Sequence, residues 1–113
     1  MMRTSRLAEI FKEEISDIIQ RELKDPRIGF VTITAVEVSP DLRYATVFLS
    51  VLGKKLEQEN TLEGLESAKG FIKTELGKRI RIKFLPDLTF KIDESIKEGM
   101  RISELLKRIQ KGD

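Results

Sequence analysis

The stretch Leu62-Glu63-Gly64-Leu65-Glu66-Ser67-Ala68-Lys69-Gly70-Phe71-Ile72-Lys73-Thr74-Glu75-Leu76-Gly77-Lys78-Arg79-Ile80 decides the fold. Leu62, Leu65, Ala68, Ile72, Leu76 and Ile80 keep the helical period and make one apolar stripe that needs a core to face. Gly64, Gly70 and Gly77 interrupt it. Glycine inside a helix costs roughly 1 kcal/mol against alanine, so Gly70, set between two halves of the stripe, predicts a kink or short break. The segment therefore reads as two helices in succession. A basic run begins at the kink: Lys69, Lys73, Lys78, Arg79, Arg81 and Lys83 stand against a single acid, Glu75.

Upstream, the segments Phe30 to Val38 and Tyr44 to Leu52 are rich in Val, Ile, Thr, Phe and Tyr, with turn residues Ser39-Pro40-Asp41-Leu42-Arg43 between them. They predict two antiparallel strands. Ala45, Val47, Leu49 and Val51 share one face of the second strand. In the first, Val31 and Ile33 alternate in one phase and Val36 and Val38 in the other, which predicts a bulge or burial on both faces. Before them, Leu7, Ile10, Phe11, Ile15, Ile18, Ile19 and Leu23 form an amphipathic helix that Asp25-Pro26 stops and from which Gly29 frees the turn. Downstream, Leu88, Phe90 and Ile92 alternate in a third strand whose start Pro86 marks. Ser95 and Glu98 form a capping box for a last helix using Ile96, Met100, Ile102, Leu105, Leu106 and Ile109, ending in the basic residues Lys107, Arg108 and Lys111 and frayed at its end.

The order helix, strand, strand, helix, kink, helix, strand is an α+β layout with helices on one face of a small sheet. It fits a single type II KH-like domain over residues 1–93, with 94–113 a C-terminal helical extension. Nucleic-acid-binding KH domains clamp a backbone with a GXXG loop between two helices. At that place this chain has Ser67-Ala68-Lys69-Gly70, without GXXG.

Composition narrows the chemistry. At 113 residues, with 40% hydrophobic and 35% charged side chains, the chain holds one domain with an ordinary core, and its many Lys, Arg and Glu residues fit a heat-adapted source. It contains neither histidine nor cysteine, so imidazole bases, thiol nucleophiles and the usual zinc and iron–sulfur sites are excluded. The nearest paired acids, Glu13-Glu14 and Asp93-Glu94, are sequence neighbours that point about 100° apart on a helix and do not converge on a substrate. Neither GxxxxGK(S/T) nor GxGxxG occurs. No enzymatic activity, cofactor or metal is expected. The start lacks an apolar run and no later run approaches membrane-spanning length, which predicts a cytoplasmic protein without membrane contact, and a monomer is expected. The positive net charge of +2 depends on the local excess at Lys69 to Lys83, and charge alone leaves open whether that surface meets phosphates or water.

Four pieces in this order and spacing carry a resemblance. They are Ile15-Ser16-Asp17-Ile18-Ile19-Gln20-Arg21-Glu22-Leu23-Lys24-Asp25-Pro26-Arg27, then Val36-Glu37-Val38-Ser39-Pro40-Asp41-Leu42-Arg43-Tyr44-Ala45, then Ala68-Lys69-Gly70, and finally Leu85-Pro86-Asp87-Leu88-Thr89-Phe90. The sequence resembles the bacterial ribosome-binding factor A family, cold-shock-associated assembly factors of the small ribosomal subunit. That family replaces the glycine loop by an Ala-X-Gly helix–kink–helix, which Ala68, Lys69 and Gly70 match. The resemblance implies a non-catalytic factor that binds the immature small subunit and its precursor rRNA, supports late maturation and 5′-end processing, matters in the cold, and has a functional link to assembly GTPases. A generic single-stranded RNA-binding or protein-interaction module is the alternative.

The residues expected at the RNA are Lys69, Gly70, Lys73, Lys78, Arg79, Arg81 and Lys83, as contacts that position a backbone rather than read bases. Arg43 is expected to hold a phosphate beside Tyr44, the only tyrosine, whose ring can stack on a base or pack at a rim. Arg27 is a further candidate, placed where Asp25-Pro26 stops the first helix.

Overall fold

Alternating and helical periods become six elements in the computed structural model, which describes residues 4–95: α1 (Thr4–Glu22), β1 (Val31–Val38), β2 (Tyr44–Val51), α2 (Lys55–Ser67), α3 (Lys69–Arg79) and β3 (Asp87–Ile92). β1 and β2 pair antiparallel, and β3 runs parallel to β2, in the order β1-β2-β3. The parallel pair needs a long crossover, and α2 with α3 supplies it. The expected α+β arrangement is present. Ile33, Val36, Val47, Leu49, Leu88 and Phe90 of the sheet bury one face against Phe11, Ile15 and Ile18 of α1, Leu65 of α2, and Ile72 and Leu76 of α3. The helix expected beyond Ser95, with its capping box to Glu98 and its basic end, lies outside the described residues.

The broken phase of β1 is a bulge. Register shifts between Ile33 and Ala35, so Thr34 is the extra residue and both Ile33 and Val36 reach the core. The Thr34 hydroxyl donates to Asp93 Oδ2 at 2.6 Å, across β2. The same carboxylate accepts the Ser95 N–H at 3.0 Å through Oδ1, a side-chain cap on the helical turn at residues 94–95.

The helix break falls at Ala68 and not at Gly70. Ala68 has φ −90° and ψ 1°, and its N–H is shared between the Gly64 and Leu65 carbonyls at 3.0 and 3.1 Å, a tightened last turn. Its own carbonyl then accepts the first bond of α3, from Ile72 N–H at 2.9 Å. Gly70 sits in the first turn of α3, outside the left-handed region, and a Cβ there meets nothing within 4 Å. Nothing in the backbone requires glycine. Gly70→Ala is therefore expected to stabilise the domain by about 0.5–1 kcal/mol in urea unfolding while leaving the break in place. A loss of stability would show that the first turn of α3 does not follow ordinary propensity.

Gly64 has a different reason. A Cβ on it would lie 2.7 Å from Ile28 Cγ1, so α2 presses directly on the α1–β1 connection. One turn earlier, the fully buried Thr61 accepts the Gly29 N–H at 3.2 Å. Small side chains at these two positions let a polar loop and a helix touch.

Candidate nucleic-acid interface

On a helix of 3.6 residues per turn, Lys73 stands about 40° round from Lys69, while Lys78 stands about 140° further on. The basic run is not one face. Lys69 pairs with Glu66 at 2.8 Å, Lys73 reaches across to Asp87 at the start of β3 at 3.1 Å, and Lys78 pairs with Glu75 at 3.0 Å. Pairs of this kind at a protein surface are worth about 0–1 kcal/mol, so each lysine can exchange its carboxylate for a phosphate at little cost. Gly70, beside Lys69, keeps its backbone at the surface.

Arg79 is of another kind. Its guanidinium donates to Asp17 at 2.7 Å, Glu14 at 3.1 Å and Glu22 at 3.2 Å, three carboxylates of α1. Hydrogen bonding to Asp17 first and Glu14 second raises its pKa above the ordinary guanidinium value. This arginine joins α3 to α1 and is not placed to meet a phosphate, contrary to the expectation from the basic run. Arg27 is likewise engaged: its side chain folds back on Asp25 at 2.6 Å, within a turn closed by Ile28 N–H on the Asp25 carbonyl, and approaches Glu63 at 3.7 Å.

Two cations of the run have no ion pair among the described residues, Arg81 and Lys83. Both are exposed in the loop between α3 and β3. Lys83 Nζ lies 5.7 Å from the centre of the Phe84 ring. Opposite this loop is the β1–β2 turn, and the two enclose a cleft of about 620 Å³ lined by Leu7, Leu42, Arg43, Tyr44, Lys83 and Phe84 among others. Arg43 only grazes its nearest carboxylate, Asp41, at 4.0 Å. Tyr44 is 59% exposed and Phe84 77% exposed. The sequence points to Tyr44 and the cations but not to Phe84. The available signal was an aromatic next to Lys83 in a short loop ahead of Pro86, yet Ile82 and Phe84 alternate as core residues do.

A sequence model of a known family, "Ribosome-binding factor A", matches residues 3–106. The chain belongs to that family. Among curated relatives, ribosome-binding factor A of Natranaerobius thermophilus is 54% identical over 112 residues, which is 99% of this chain and 86% of the relative. The crystal structure of ribosome-binding factor A from Thermus thermophilus superposes with a TM-score of 0.73 at 28% identity, covering 80% of this chain and 94% of that one. The Thermus thermophilus factor fitted into a cryo-EM map of a 30S–RbfA complex superposes with a TM-score of 0.68 at 27% identity, over 80% of this chain and 96% of that one. The KH-like fold is thus the fold of the family, with Ala68-Lys69-Gly70 at the helix break.

Four aspartates hold their protons less tightly than usual, all through hydrogen bonds. Asp17 is lowered first by Arg79, Asp25 by the Arg27 side chain, Asp41 by the Ser39 hydroxyl and Asp93 by the Ser95 and Thr34 hydroxyls. A folded-state pKa below the unfolded value of 3.8 contributes stability above that value and loses it as pH falls. Stability is expected to be flat from pH 8 to 5, where there is no histidine to titrate, and to drop below about pH 4. Urea midpoints across that range check this; a decline already complete at pH 5 would contradict it.

Proposed function

We propose that this chain binds the small ribosomal subunit through its rRNA and acts there as a non-catalytic assembly factor. The observation that carries the reading is the placement of Lys83 and Arg43, without close carboxylate partners, at one cleft that also exposes two aromatic rings, with Arg81 exposed two residues before Lys83 in the same loop. A surface of this kind suits phosphates and unpaired bases. The Thermus thermophilus relative in the 30S–RbfA complex supports the choice of subunit. Lys69, Lys73 and Lys78 add exchangeable contacts along α3, and Gly70 lets the backbone come close. Residues 1–93 form the RNA-binding domain and 94–113 its extension. The factor works as a monomer in the cytoplasm, on the immature subunit, during late maturation and 5′-end processing, with most effect in the cold and in step with assembly GTPases.

Sucrose-gradient sedimentation of cell extract tests this directly. The protein is expected with small subunits and their precursors, released as salt rises. Equal association with large subunits or with arbitrary RNA would refute the assembly reading, and a salt-insensitive complex would favour a protein-interaction module.

A further inference from the structure

We propose that the cleft between the Ser39–Arg43 turn and the 80–86 loop holds one unstacked nucleotide of a single-stranded RNA, its base against the Tyr44 and Phe84 rings and its flanking phosphates against Arg43 and Lys83, with Arg81 outside the cleft in the same loop. This rests on the RNA-binding reading above and names what that cleft takes.

Exposed rings are the first reason. Phe11 and Phe90 are buried, and leaving a ring of that size in water forgoes about 1.5–3 kcal/mol of burial. Tyr44 and Phe84 remain outside, at one cleft, and the Tyr44 side of it is hydrogen-bonded in place. Asp87 N–H donates to the Arg43 carbonyl at 2.8 Å, and Tyr44 and Asp87 are register partners at the start of β2 and β3. The turn itself is braced: Asp41 Oδ1 accepts from the Ser39 hydroxyl and the Arg43 N–H, and Ser39 Oγ accepts the Tyr44 N–H at 3.0 Å.

Strain is the second reason. Leu42 has φ 62°, the one positive-φ position occupied by a residue other than glycine among the described residues. Bulky side chains reach that region rarely and at a cost, and such strain gathers where geometry serves a ligand. Here it sets the direction in which Arg43 and Tyr44 leave the turn.

Charge decides the class of occupant. Both carboxylates lining the cleft are spoken for, Asp41 within the turn and Asp87 by Lys73, while Lys83 in the lining and Arg81, exposed beside it in the same loop, have no ion pair among the described residues. The surplus favours a polyanion over a neutral or basic peptide. Duplex RNA hides its base faces, whereas an unpaired strand offers them to aromatic rings, and the cleft volume is that of a small-molecule pocket, enough for one nucleotide. No Asn, Gln or free carboxylate lines it to read a base edge. The site therefore holds any base.

Tyr44 is the only tyrosine and there is no tryptophan, so intrinsic fluorescence reports this cleft alone. The full chain is titrated with an end-labelled single-stranded RNA nonamer, the same nonamer with abasic sites, an RNA duplex, and an acidic peptide of equal charge, reading label anisotropy and tyrosine emission. The nonamer is expected to bind and quench Tyr44 saturably, and the abasic strand to bind without quenching. Tyr44→Leu and Phe84→Leu, both at exposed positions, are each expected to weaken nonamer binding roughly tenfold, with Tyr44→Phe restoring it. Nonamer binding without quenching, unchanged affinity in both leucine variants, or quenching by the peptide or duplex in preference to the single strand would overturn the proposal. Sedimentation separates it from the broader reading: if the leucine variants and the wild type comigrate equally with small subunits and no quenching occurs, the cleft assignment falls and subunit binding stands. Quenching by the nonamer without any comigration gives the reverse.

Discussion

Phe11→Ala is expected to lower the unfolding free energy by about 3–5 kcal/mol. Phe11 has no exposed surface and stands at the centre of the α1 stripe, one turn from Leu7 and one from Ile15, both buried. Removing the ring loses its transfer free energy and leaves a void whose far wall is the sheet, where backbone pairing prevents collapse. A domain of this size has about 5–15 kcal/mol in all, so the variant is expected to be only marginally folded at 37 °C. Phe84→Ala supplies the comparison: an exposed ring in a loop is expected to change stability by no more than about 0.5 kcal/mol. Urea unfolding of the two variants decides it, and equal losses would mean that α1 does not pack on the sheet as described.

The triple variant Arg43→Ala, Arg81→Ala, Lys83→Ala is expected to have the largest effect on binding. For single strands each neutralised phosphate contributes about 0.7 to the slope of log affinity against log salt, so three contacts account for roughly 2. A fourfold rise in salt then weakens the wild type roughly 20-fold more than the variant. Arg79→Met is the opposite case. It is expected to leave the slope unchanged and to destabilise the fold, because Glu14, Asp17 and Glu22 lose their common partner. Binding isotherms on small subunits at several salt concentrations, beside thermal melts, separate the two. A changed slope for Arg79→Met alone would return that residue to the RNA surface.

Much of the fold was legible because burial leaves a period. Ala45, Val47 and Leu49 alternate, Leu7, Phe11, Ile15 and Ile18 recur at helical spacing, and the slipped phase between Ile33 and Val36 announced the bulge. The break at Ala68 was not legible, since it depends on which carbonyls a single N–H selects at the end of α2, and alanine carries no signal for that. Nor was the fate of Arg79. Its partners lie 57 to 65 residues away on another helix, and a basic run in sequence carries no mark of which member turns inward. Phe84 was hidden for a similar reason, because exposure in a loop is set by the path between α3 and β3.

The ties from Arg79 also set an order of events. Synthesis proceeds from the N-terminus, so Glu14, Asp17 and Glu22 emerge long before the guanidinium that joins them. Until then α1 carries acids on the side that will face α3, with Arg21 paired to Asp17 to offset them in part. The bulge contact adds a second delay, since Asp93 follows Thr34 by 59 residues. In a nascent α1–β1–β2 piece neither tie can form, and both wait on the synthesis of α3 and the end of β3.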